Sequence, residues 1–186
     1  MIFLAFTKRC FALTSKRTML MLIMLILSVP TSATATMSWQ SSTWQAWRMV
    51  GDAQLKWGPW VIYDSELRTP TGYYQDNSDE LALVIKYQRD IAREDLLEAT
   101  GEQWEHLGVP ADKRRLWLAH LSQIWPDVKK GDRLIFVIKN GDGVFYQDNT
   151  KIGVMKDSEM SNAFLHIWLS PDTSYPHIRR QLIGKT

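Results

Sequence analysis

The chain has 186 residues, with 22 Lys and Arg against 20 Asp and Glu and one cysteine. Four of the basic residues and Cys10 fall before residue 18 and no acidic residue does, so from residue 36 onward 18 basic side chains face 20 acidic ones and no thiol remains. That balance removes the electrostatic footprint of a nucleic-acid partner, and the missing thiols exclude a disulfide, a thiolate metal site and a cysteine nucleophile there.

Lys8, Arg9, Lys16 and Arg17 precede an uncharged apolar run from Met19 to Val29, and Pro30 leads into small residues. This layout predicts a secretory signal peptide over residues 1–35, cut after the small-x-small triplet Ala33-Thr34-Ala35. The run is much shorter than the ~20 residues of a membrane-spanning helix, so no span is expected after cleavage. Residues 36–46 then form a lead-in and residues 47–186 one domain.

From Trp47 to Trp57, Trp47, Met49, Gly51, Ala53, Leu55 and Trp57 share one parity and predict a half-buried strand. Gly51 and Ala53 leave room on that parity for another element or a ligand. Gly58-Pro59 breaks the strand, and a second runs from Trp60 to about Arg68, most simply as a hairpin partner, with Asp64 and Glu66 toward solvent. A polar loop from Thr69 to Glu80 leads to a third strand over Leu81 to Gln88, with Leu81, Leu83, Ile85 and Tyr87 on one face. Helical period follows over Asp90 to Gly108 through Leu96, Leu97, Thr100, Trp104 and Leu107, with Gly108 as the stop. A second helix over Asp112 to Trp125 offers Leu116, Trp117, Ala119, His120, Leu121 and Ile124 as a broad inner face, with a basic patch at Lys113 to Arg115.

Gly131 to Trp168 reads as three short strands and a helix that folds back onto them. Leu134 to Ile138 is apolar on both parities, so that strand is covered on both sides. Asn140-Gly141-Asp142-Gly143 supplies a hairpin turn, Asp148-Asn149 a second one, and Asp157 and Ser158 a helix start before Met160, Phe164, Ile167 and Trp168. The order of elements predicts an α+β fold, a largely antiparallel sheet covered on one face by a layer of helices, which is an open-faced sandwich. The nine tryptophans, all after residue 35, read as packing between those layers.

Motifs for familiar chemistry are missing. His106, His120, His166 and His177 do not stand at zinc-ligand spacing, so no metal is expected, and there is no hydrolase elbow, phosphate loop or dinucleotide fingerprint. His120 is the histidine placed on an inner helix face.

Ala163-Phe164 followed by Ile167-Trp168-Leu169, then Pro171 and Leu182-Ile183-Gly184, resembles the C-terminal signature of the bacterial chalcone isomerase-like family. The resemblance extends upstream to about Trp47 and implies the same open-faced sandwich. Plant chalcone isomerases, its distant relatives, close a flavanone ring by conjugate addition without a cofactor, and none is expected here. Their pattern sets an arginine late in the first strand, a threonine in the next, and a tyrosine and an asparagine on the helix after the third. In this sequence the cation is Lys56, one residue out of register, Tyr63 takes the threonine position as in fatty-acid-binding relatives, and the two helix positions fall near Ala92 and Ala99. The resemblance therefore implies a protein without catalysis that holds a small apolar, phenolic or carboxylate ligand such as a fatty acid between sheet and helices, and, with the predicted signal peptide, an exported protein of the periplasm. Lys56, Tyr63, Tyr87 and Arg48 are the ligand-binding candidates. The competing readings are a cofactor-independent isomerase or lyase acting on a phenolic substrate, and an envelope interaction module docking through strand edges or the Lys113 to Arg115 patch.

Overall fold

A computed structural model describes residues 44–76 and 78–185; the signal peptide and most of the lead-in lie outside them. Six strands form one sheet in the order of the sequence: β1 (Arg48–Trp57), β2 (Trp60–Thr69), β3 (Glu80–Tyr87), β4 (Arg133–Lys139), β5 (Asp142–Gln147) and β6 (Thr150–Met155). All neighbours are antiparallel. Between β3 and β4 the chain makes α1 (Arg93–His106) and α2 (Ala111–Ile124), and after β6 it makes α3 (Ser158–Leu169) and α4 (Pro176–Leu182).

Local chemistry accounts for most boundaries. Asn140 and Gly141 both take positive φ in the β4–β5 hairpin, the conformation that tight two-residue turns require. Asp157 caps α3 by accepting hydrogen bonds from the amides of Glu159 and Met160. Helix α1 has no such cap of its own; it starts three residues later than the sequence predicts, where Asp127 accepts the Arg93 amide across the chain.

The four helices lie on one face of the sheet. Leu67, Leu83, Ile85, Leu134, Phe136 and Phe145 of the sheet pack there with Trp104, Leu121, Phe164, Trp168 and Ile178. Phe136, Phe145, Phe164 and Trp125 meet with ring centroids 4.7–5.8 Å apart, in the tilted or edge-on orientations that aromatic pairs favour. The opposite face is not bare. Trp44, in a 3-10 turn over Trp44–Ala46, and Trp47 are buried there with Ala82, Val84, Ile135 and Val137.

That location corrects the reading of β1. A bulge at Val50, between the pairs Met49↔Arg68 and Gly51↔Leu67, reverses the alternation, so Trp47 belongs to the helix-free face and Met49 is half exposed. Trp57 is 71% exposed at the hairpin end, beside Trp60. The room left at Gly51 is filled by backbone: a Cβ there would sit 2.1 Å from the Gln181 carbonyl oxygen of α4.

Helix α2 also differs from its predicted face. Leu116 is 66% exposed and Ala119 and His120 face solvent, while Trp117 and Leu121 are buried. The helix rests on the outer side of the layer, with Leu118 against Gly101 and Ile124 against Gly153, so only a narrow stripe finds partners. The His120 ring donates to the Val154 carbonyl and ties α2 to β6.

Candidate functional site

Between the sheet and the helices α1 and α3 lies a cavity of about 160 Å³. Its floor is built by alternation along the strands: Leu55 of β1, Tyr63 of β2, Ile85 and Tyr87 of β3 and Leu134 of β4. Phe164, Ile167 and Trp168, on one stripe of α3, form a wall, and Asp95, Ala99, Thr100 and Gln103 of α1 form another. Tyr63, Tyr87, Thr100, Phe164 and Trp168 are buried, whereas Asp95, Ala99, Gln103 and Tyr175 retain exposure and make the rim.

Two tyrosines dominate the polar chemistry. Tyr63 and Tyr87 are direct cross-strand partners, and their rings meet edge to face at 6.1 Å. The Trp168 indole N–H donates to the Tyr63 hydroxyl at 2.9 Å, linking floor to wall. The Tyr87 hydroxyl bonds to none of the described residues. Burial raises the pKa of both phenols well above the ordinary tyrosine value, against a smaller opposite effect of the Trp168 bond on Tyr63. Both therefore stay protonated across the physiological range. Tyr175, half-buried at the rim, is raised by burial as well.

Of the residues singled out in the sequence, Tyr63 and Tyr87 come together in this cavity. Lys56 and Arg48 do not line it. Lys56 is exposed next to the hairpin end, and Arg48 is exposed at the other end of β1, ~20 Å along the strand from Leu55. Ala99, one of the two positions where the resemblance looks for a catalytic side chain, presents only a methyl group at the rim, and Ala92 precedes α1 outside the lining. Trp168, Trp125, Thr100, Asp95 and Tyr175 are lining residues that the sequence did not single out for the site.

Among the described residues the lining contains no Lys, Arg or His. No group of three or more metal-ligating side chains occurs among the described residues. In the α2 patch Lys113 pairs with Glu159 and Arg114 with Glu105, which leaves Arg115 as its unpaired member among the described residues.

The profile of the chalcone isomerase-like family matches residues 64–184. The chain belongs to that family. A Haemophilus influenzae protein of uncharacterised function is 29% identical over 140 residues, covering 75% of this chain and 69% of the relative. Among solved structures, a fatty-acid binding protein of Arabidopsis thaliana aligns with a TM-score of 0.55 at 8% identity, over 74% of this chain and 87% of its own. The family's open-faced sandwich is thus the fold of this chain, as the sequence predicts. The profile match begins one residue after Tyr63, so Tyr87 is the one of the four ligand candidates that lies inside it.

Proposed function

We propose that the protein is an exported carrier that holds a small apolar ligand, such as an acyl chain or a phenolic ring, between the sheet and helices α1 and α3, and that it does not catalyse isomerisation. The observation that carries this reading is the cavity itself, with mostly aliphatic and aromatic walls and a few hydroxyls, which is the usual composition of a small-molecule site. The Arabidopsis protein of the same fold is described as fatty-acid binding. Against catalysis stand Ala92 and Ala99 at the positions where the resemblance implies a tyrosine and an asparagine, since losing one donor to a developing oxyanion already removes ~2.7–4 kcal/mol of transition-state stabilisation. Export rests on the charged start, the apolar run and the Ala33-Thr34-Ala35 triplet.

Native mass spectrometry of the protein purified from expressing cells tests the carrier. A stoichiometric apolar compound released on denaturation supports it; a clean mass that added decanoate and benzyl alcohol both leave unchanged sinks it. The same preparation should leave chalcone cyclisation at its background rate. Cell fractionation should find a chain beginning at Thr36 in the periplasm.

A further inference from the structure

Size and charge together narrow the occupant. The volume, about 160 Å³, lies below the ~300 Å³ at which pockets begin to enclose drug-sized molecules, and close to the ~150 Å³ cavity that admits benzene. Among the described residues the lining offers no cation, and its one carboxyl, Asp95, sits at the rim. A carboxylate entering here loses its water without gaining a counter-ion, and it passes a like charge on the way. The lining supplies hydrogen-bond donors instead. The Tyr87 hydroxyl makes no hydrogen bond to the described residues, and the indole N–H of Trp125, also in the lining, is buried without a partner among them. The Tyr63 oxygen is occupied as an acceptor by the Trp168 N–H, so its own proton is free to be donated. Two phenols on adjacent strands thus line one apolar space.

Resting on the carrier reading, we propose that the ligand is uncharged: an aromatic ring or short chain bearing one acceptor oxygen, as in an alcohol, phenol, ketone or ester, to which Tyr87 and Tyr63 donate. A carboxylic acid binds there in its protonated form. Burial of both tyrosines keeps them in the donor state needed for this at any physiological pH.

Three probes of equal ring size separate the possibilities: benzyl alcohol, toluene and benzoate, titrated against the purified protein with tryptophan fluorescence and calorimetry. Benzyl alcohol is expected to bind with an affinity that does not change between pH 5 and pH 8. Benzoate should weaken about tenfold for each pH unit above its pKa, as only the acid form enters. Tyr87→Phe should weaken benzyl alcohol about fivefold, the size of one neutral hydrogen bond, and leave toluene unaffected. Benzoate binding at pH 8 as tightly as the alcohol overturns the uncharged ligand while the carrier survives. An equal response of alcohol and toluene to Tyr87→Phe overturns the donor role. If none of the three binds, the ligand class proposed here falls, while the carrier reading then stands or falls on the compound released from the purified protein and on decanoate.

Discussion

Tyr63 and Tyr87 look alike in the sequence and differ in what their hydroxyls hold. Tyr63→Phe strands the buried Trp168 N–H, which costs about 1–3 kcal/mol, whereas Tyr87→Phe breaks no bond among the described residues and should stay within ~0.5 kcal/mol of the parent. Urea unfolding of the two variants measures the contrast, and equal midpoints would show that the Trp168 bond adds nothing to stability. Both phenols have raised pKa values in the fold and titrate near ~10 when unfolded. Above that pH the unfolded chain releases protons that the folded chain still holds, so this contribution to stability is complete below pH ~10 and is lost progressively as the pH rises beyond it. A Tyr63→Phe, Tyr87→Phe double variant should show a shallower alkaline decline. The two tyrosines were legible because each stands on a strand with a clear parity. Trp168 was legible only as core: helical spacing beside Phe164 fixes which way the ring faces, and says nothing about where its N–H finds an acceptor.

At the level of elements, α4 is pinned to the sheet by an absence of side chain. Its last turn lays the carbonyls of Gln181 and Leu182 on Gly51, 2.1 and 2.9 Å from where a Cβ would stand. Gly51→Ala has to push backbone aside, and it should destabilise by about 1–3 kcal/mol and displace Tyr175, which precedes α4 at the cavity rim. Thermal unfolding of this variant checks the first effect and benzyl alcohol affinity the second; a parent-like melting temperature would contradict the close contact. The hairpin turn at Asn140-Gly141 and the Asp157 start of α3 could be read from sequence because their chemistry is local. The Val50 bulge could not, since it is a property of pairing with β2 that Met49-Val50-Gly51 does not reveal alone. The width of the buried face of α2 escaped for a related reason: apolar spacing shows which residues can be covered, and only the position of the helix on the layer decides which ones are.

In the whole molecule, each strand pairs with its neighbour in sequence, yet the five ladders do not close across equal spans of chain. Four join strands linked by a turn or by residues 70–79, while β3 meets β4 across residues 88–132, the stretch that makes α1 and α2. Closing that span carries the largest entropy penalty before any contact rewards it. The pairing of Ile85 with Leu134 and of Leu83 with Phe136 is accordingly expected to set the folding rate. Ile85→Val should slow refolding in stopped-flow fluorescence, whereas Ala53→Gly in the β1–β2 hairpin should chiefly accelerate unfolding. The cavity floor spans this same seam, because Ile85 and Leu134 both line it. The cavity therefore cannot exist before that seam closes, and a molecule bound there is expected to slow unfolding only to the extent that its contacts form after the seam has closed.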